Sequence, residues 1–457
     1  MRVKTVRQQY LSFEIPSSPT KEVARYRKKY AQLNELLLAA PELVDLAHAD
    51  FGQWLSDSLR GRESKYSSEE ILRVLVVMFV EEADYRETVV RIENSEFLRN
   101  FVGFGLLKPM MDFSFVAKAF AALSPETWAA MNGALGRHGV AAEKISGEKL
   151  RTDTTAVETN IHYPTDSSLL WDSFRVLSRT LKRLQSELPG LGLKHRYHVG
   201  KVKKLAQFIA RNAKSPSKRT QGKVKMAYRA LLDRVLWIVG ISKTVRALLG
   251  PACMLEAPEL EVSEPLAERV IDQAQRRIFD GEIVPPDEKL YSLFEAHTEL
   301  LKRGKAGKPV EFGHKVLLSQ TGEKFISHWR VLSRCEEDKD LVEEVLAQHV
   351  TLFGQKPALL AADKGYYKSM QQLAELEREI EMVSICKKGR RNKEEIAREH
   401  DAAFRAGQCF RAGAEGSISV LKRAYKLGRC LYKGFKNFTA AVGCAVFCHN
   451  LVLLART

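Results

Sequence analysis

Three acids, Asp153, Asp363 and Glu415, stand where carboxylates could do chemistry. Asp153 lies inside the Thr- and Val-rich run RTDTTAVETN, and Asp363 closes the apolar run ALLAAD. Gly365 follows two residues on and permits a sharp turn. Glu415 is the lone acid of FRAGAEGSISVLKRAYKLGR, residues 410–429, among Arg411, Lys422, Arg423, Lys426 and Arg429. At about 100° per residue, Arg411, Glu415, Ser419, Lys422 and Lys426 share one helical face. Ile418, Val420, Leu421 and Tyr425 take the remainder, as a core-facing surface. Hard oxygen ligands of this kind suit Mg²⁺ or Mn²⁺, ions that keep waters or substrate phosphates in their shell. Two such ions about 4 Å apart activate an attacking oxygen and stabilise a leaving one in phosphodiester displacement. The pattern predicts that Asp153, Asp363 and Glu415 are catalytic and hold two divalent ions, while Arg411, Lys422 and Lys426 face DNA phosphates. Taken singly, each acid has a plainer reading. An Asp after a strand is often a turn residue, and Glu415 could favour a helix N-terminus. Glu158 and Asp166 rival Asp153.

The elements that must position these acids follow from periodicity. KLRTDTTAVETNIHYP reads as a strand carrying Asp153. KLYSLFEAHTELL and HKVLLSQTGEKFISHWRVLS read as further strands, the second a hairpin around SQTGEK. EDKDLVEEVLAQHVTLFG reads as a helix, KPALLAADKGYY as a short buried strand ending at Asp363, KSMQQLAELEREI as a helix and EMVSICKK as a strand. GRRNKEEIAREHDAAFRAG reads as a charged excursion. Glu415 is expected at the start of the helix that follows, and a C-terminal apolar helix closes the chain. The order predicts a mixed α/β sheet covered by helices, interrupted after its first strand by a long helical insert. Residues 1–145 read as helices. SSEEILRVLVV opens with a capping box, Ser67 to Glu70, and SPETW is a second capped start. SEFLRNFVGFGLLKPMMDFSFVAKAF is compatible with a helix-turn-helix.

Charge narrows the partner. The chain of 457 residues holds 72 Lys and Arg against 56 Asp and Glu, a net +16, while 45% of residues are apolar and 28% charged. Between Trp171 and Gly250 nineteen basic residues face three acids, so this stretch alone accounts for an excess of sixteen. Such one-sidedness points to a polyanion. Lys201, Lys203 and Lys204, in KHRYHVGKVKK, are the leading candidates for phosphate contact. Seven cysteines, an odd number with no C-x-x-C pair, imply no disulfide framework and fit a reducing cytoplasm. Cys444, Cys448 and His449 sit in a greasy run that reads as core helix rather than zinc site. MRVKTVRQQYLSFEIP has no apolar signal core, and the longest apolar runs are judged too short or interrupted to span a bilayer. No membrane partner is expected.

On these residues the chain resembles the DDE transposases of bacterial insertion sequences. One large branch of that family carries Tyr-x2-Arg-x3-Glu-x6-Lys on its last catalytic helix. Arg411, Glu415 and Lys422 match that spacing, and the tyrosine position falls on Gln408. DTTAVETNIHYPTDSSLL resembles the segment of the first Asp, ADKGYY that of the second, and FEAHTELLKRGKAGKPVEFGHKVLL the resumption of the core after an insert. The resemblance implies an RNase H-like catalytic core, α/β, over residues 146–168 and 287–457. A basic helical insertion over 169–286 and an N-terminal helical domain, 1–145, that binds DNA ends complete the expected layout. It also implies binding to the terminal inverted repeats of a mobile element and to target DNA, as a homodimer or larger oligomer. The reaction it implies is metal-dependent cleavage, then attack of the freed 3′-hydroxyl on target DNA, with no covalent protein–DNA link. A nuclease of the same fold that only hydrolyses DNA, and a non-catalytic DNA-binding protein, are the alternatives.

Overall fold

The computed structural model describes residues 3–5, 18–54, 63–105, 107–305, 308–334 and 336–457. Most of the N-terminal stretch read for a signal, and Cys335, lie outside the described residues. The chain divides into two compact units, residues 1–158 with 314–457, and residues 159–313.

Among its described residues the first unit has, before its first strand, seven helices: α1 (Lys21–Ala39), α2 (Glu42–Trp54), α3 (Ser68–Val80), α4 (Tyr85–Glu93), α5 (Glu96–Val102), α6 (Phe113–Ala122) and α7 (Pro125–Ala141). Side-chain caps start several of them where the sequence predicts. Ser67 and Glu70 form the capping box of α3, and Ser124 caps α7 ahead of Pro125. Next come β1 (Lys149–Thr159) and the insert. The chain re-enters this unit on β3 (Lys308–Thr321), followed by β4 (Ile326–Val331), α13 (Val342–Phe353), β5 (Leu359–Ala362), α14 (Met370–Glu379) and β6 (Met382–Ile385). It ends with α15 (Lys393–His400), α16 (Ala402–Ala424), β7 (Arg429–Cys430) and α17 (Phe435–Arg456). In the sheet β3, β1, β5 and β6 are successive neighbours, with β4 on β3 and β7 on β1. β1, β5 and β6 run parallel, whereas β3 and β4 are antiparallel. The molecule is thus mixed α/β with an open mixed sheet, as the element order predicts.

α17 is apolar all round and correspondingly buried all round. It is the hub of a core that takes in Tyr30, Leu75, Phe101 and Trp128 from the N-terminal helices and Val316 and Trp329 from the sheet. A buried amide cluster pins it: Asn450 Nδ2 donates to Asn132 Oδ1 and to the Ile326 carbonyl, both at 2.8 Å. The described helices before residue 145 therefore share one core with the sheet, and the boundary expected at 145 does not separate them from it. The region from Phe97 to Phe120 contributes packing, with Phe101, Phe104 and Phe120 all buried.

The second unit holds α8 (Asp166–Glu187), α9 (Val199–Asn212), α10 (Lys218–Leu249), α11 (Cys253–Glu256) and α12 (Pro258–Ile278) around their own apolar core. Its bounds, 159–313, are wider than the expected 169–286. It includes β2 (Glu299–Lys305), which pairs antiparallel with the first residues of β3. The strand expected over 289–301 begins only at Glu299. Before it, Ser292 Oγ accepts from the amides of Phe294 and Glu295, a turn motif that competes with extended pairing. The expected charged excursion is helical instead, because Asn392 and Glu395 form a capping box that starts α15.

Among the described residues two helical stretches are long and apolar enough to cross a bilayer by length and composition, Lys218–Glu256 and Phe435–Arg456. The length argument against the C-terminal run therefore fails, since α17 has 22 residues. Its apolar window is 83% buried within the protein, and that of Lys218–Glu256 is 28% buried.

Candidate active site

Asp153 and Asp363 come together through strand register. β1 and β5 pair parallel with a constant offset, Lys149 opposite Leu359 and Arg151 opposite Ala361. Carrying that offset two residues further sets 153 opposite 363, and equal parity turns both side chains to one face of the sheet. Asp363 leaves the strand and caps the turn after it, its Oδ1 accepting from the Gly365 amide at 2.7 Å. Asp153 Oδ1 accepts from the Thr154 amide at 2.7 Å. Burial, reinforced by the negative charges of Asp363 and Asp338, pushes the Asp153 carboxyl up to about 6, against the opposing pull of the Thr154 amide and Arg411.

Asp338 is an acid the sequence reading missed. In EDKDLVEEV it looked like an ordinary helix-start acid. It lies in a short turn before α13, with Oδ2 3.4 Å from Thr154 Oγ1 and Oδ1 3.1 Å from Lys315 Nζ. A Cβ added at Gly365 would meet Asp363 Oδ1 at 2.8 Å and Asp338 Oδ2 at 3.3 Å, so any larger residue there would have to displace these carboxylates. Tyr366, beside Asp363, is fully buried and packs in the sheet's second core.

α16 brings the remaining candidates. It spans 23 residues, so Glu415 lies well inside it rather than at its start. The helix is clamped to the sheet by a buried polar network. Arg151, only 4% exposed, donates from Nη1 to the Phe410 carbonyl at 2.8 Å and from Nε to Gln320 Oε1 at 2.7 Å. Its Nη2 bonds the same oxygen, and Ser417 Oγ donates to it at 3.1 Å. Gly413 faces Arg151 so closely that a Cβ there would collide with the guanidinium. Gln408, at the departure from the family motif, donates from Nε2 to the Ser384 carbonyl at 2.6 Å and the Ala362 carbonyl at 3.3 Å. It thereby ties α16 to the residue preceding Asp363. Arg151, a basic residue between Leu150 and Thr152 on the strand that carries Asp153, is the signal that could have exposed this network.

Arg411 is half-buried, its Nε has no hydrogen-bond partner among the described residues, and its charge favours ionised Asp153. Glu415 is exposed one turn further on. Lys422 Nζ donates to the Ala156 carbonyl of β1 at 2.8 Å. Lys426 is not on the helix. α16 ends at Ala424, the Leu427 amide returns to the Leu421 carbonyl at 3.1 Å, and Lys426 takes a left-handed φ of 58°. Its ammonium lies within the fields of Asp84, Glu87 and Glu82, and burial lowers its pKa. The rival Asp166 belongs to the second unit, where it pairs with Arg277 at 3.0 Å. Glu158 is the penultimate residue of β1, its amide bonded to the Gly428 carbonyl. Lys201, Lys203 and Lys204 are all exposed on α9.

No protein-family model, curated protein or solved structure matches the chain.

Among the described residues no group of three or more His, Cys, Asp or Glu side chains is gathered closely enough to hold a metal ion as it stands. The donor chemistry nonetheless fits a hard divalent cation. Asp153, Asp363 and Asp338 are all oxygen donors, and the charges of the latter two raise the cost of ionising Asp153, a cost that a nearby cation would offset.

Proposed function

We propose that the chain is a DNA transposase of the DDE type, with an RNase H-like core that cleaves the ends of a mobile element and joins them to target DNA. The observation that carries the reading is the nearness of Asp153 and Asp363, 210 positions apart in sequence, which follows from continuing the parallel register of β1 on β5 and is felt in the charge of Asp363 on Asp153. The spacing of Arg411, Glu415 and Lys422 on α16, clamped over those strands, supports it.

In this reading Asp153 and Asp363 would hold Mg²⁺ or Mn²⁺, with Glu415 as the third carboxylate. Bound there, the metal supplies Lewis-acid stabilisation of the attacking and leaving oxygens. The chain's own residues do the positioning. Arg411 sets a cation beside Asp153, favouring the ionised carboxylate, and places its positive charge where a substrate phosphate would lie. Lys422, tethered to the β1 backbone, holds a second positive charge along α16. Gln408 and Arg151 fix the helix against the strands. Exposed Lys201, Lys203 and Lys204 of the second unit contact phosphates of terminal and target duplex alike. The active species is a homodimer or larger oligomer on DNA, acting in the cytoplasm at the nucleoid.

The test uses Asp153→Asn and Glu415→Gln in the full chain, assayed in Mg²⁺ on DNA carrying the repeats that flank the gene. Both should cut and join orders of magnitude more slowly while binding DNA normally, since each keeps shape and removes only charge. A pre-cut end separates a transposase from a nuclease, because only the former joins it to target. Cleavage by both variants at parental rate would end the assignment.

A further inference from the structure

The second unit contains a cleft of about 640 Å³ at the start of α9, bordered by Lys182, His195, Arg196, Tyr197, His198 and Lys201 and by no acid. Three features make it more than a basic surface. α9 has fourteen residues and no side-chain cap, so its first amides lack an intrahelical acceptor and present the positive end of the helix dipole. His198, at the cap position, is left-handed with φ 47° and is followed directly by helical Val199. That alternation turns successive amides to one side and forms an anion-binding concavity. Gly200, the second helical residue, has open space where a Cβ would stand, leaving the backbone approachable.

A fourth feature points to a ligand. Tyr197 is 2% exposed, borders the cleft, and its hydroxyl has no hydrogen-bond partner among the described residues. A buried hydroxyl without a partner is costly, and an anion at the adjoining helix start would accept its proton. Its ring packs 6.0 Å from Trp237, and His195 stands edge-on to the same indole at 5.9 Å.

We propose that the cleft at the N-terminus of α9 binds one phosphate group, held by the free helix amides, the Tyr197 hydroxyl and the cations of Lys182, Arg196 and Lys201. That the phosphate belongs to a DNA backbone, rather than to free phosphate, rests on the function proposed above. A seated phosphate distinguishes this point of the basic surface from loose contacts at Lys203 and Lys204, because the amides and hydroxyl give it fixed geometry.

Titration of the full chain with inorganic phosphate, and separately with a short random duplex, at constant ionic strength tests this, read by Trp237 emission with Trp237→Phe as control. Phosphate should change the emission saturably. Gly200→Asp places a carboxylate over the free amides, a position helices favour, and should weaken phosphate binding by about tenfold or more. Tyr197→Phe should weaken it severalfold while leaving thermal stability equal or higher, since the hydroxyl has no partner to lose. Tyr197→Phe decides the matter if Gly200→Asp does not fold. Parallel loss of duplex affinity in both variants upholds the site and assigns it to DNA. Loss of phosphate binding with unchanged duplex affinity upholds the site and assigns it to free phosphate. An emission that phosphate leaves unchanged, or variants that titrate like the parent, overturns the proposal. A parent chain that binds phosphate but no duplex leaves this site standing and removes the DNA function instead.

Discussion

Replacing Gln320 with Leu should loosen the candidate site from behind, without touching any residue that would meet DNA. Gln320 Oε1 accepts from Arg151 Nε and Nη2 and from Ser417 Oγ, and its Nε2 donates to the Lys324 carbonyl at 2.9 Å. Leucine removes all four bonds and leaves a nearly buried guanidinium holding only the Phe410 carbonyl. Burial already lowers the Arg151 pKa, a sign that its charge is poorly solvated. Removing the neutral partner of a buried, hydrogen-bonded charge costs about 2–3 kcal/mol, against a total stability of about 5–15 kcal/mol for a typical domain. Replacing both members by apolar residues is nearly neutral in comparable cases. Arg151→Met with Gln320→Leu should therefore recover most of the loss, giving a coupling energy of about 2–3 kcal/mol. Urea unfolding read by circular dichroism measures it, each variant's change taken as its midpoint shift times the parental slope. A cost below about 1 kcal/mol for Gln320→Leu, or a double variant no better than the sum of the singles, would refute the claim that this network clamps α16.

Three further outcomes follow from particular contacts. His349 is buried on α13, and burial lowers its pKa to about 4 against the opposing pull of a hydrogen bond to the Gly147 backbone. The unfolded chain thus binds the proton more readily, so stability is full above the ordinary pKa of 6.5 and falls by about 3 kcal/mol as pH drops towards 4. His349→Leu should flatten that part of the stability–pH profile. Gln408→Leu should cost about 1–3 kcal/mol in thermal unfolding, by leaving the Ser384 and Ala362 carbonyls without their donor. Replacing Lys201, Lys203 and Lys204 by Ala should reduce the slope of log affinity against log salt by about 2–3, the same for any duplex sequence.

Much of the architecture is legible in the chain because it depends on local physics. Capping residues at Ser67 and Ser124 start helices without reference to anything distant, and the apolar run LVLLA has to be buried wherever the fold puts it. The alternation of strand and helix after His314 foretells a sheet covered by helices. The match of Arg411, Glu415 and Lys422 to helical spacing is likewise a local property, as is the excess of cations between Trp171 and Gly250. Helix ends are less legible. Nothing in KRAYKLG announces that α16 stops before Lys426, because the stop depends on Leu427 turning back into the core.

What only tertiary structure decides is which distant groups meet. The separation of 210 positions between Asp153 and Asp363 has no meaning until β1 and β5 pair with that offset. A slip of one residue would turn the aspartates to opposite faces. Asp338 joins them only because a turn after β4 returns beside Thr154. Arg151 reads as a stray charge until Gln320 and the Phe410 carbonyl surround it from 169 and 259 residues away. The N-terminal helices look separable in sequence, yet α17, the last element of the chain, draws them into the same core as the sheet. Local sequence sets propensity and periodicity over a few turns, whereas register, clamping and shared cores depend on contacts whose partners are hundreds of residues apart.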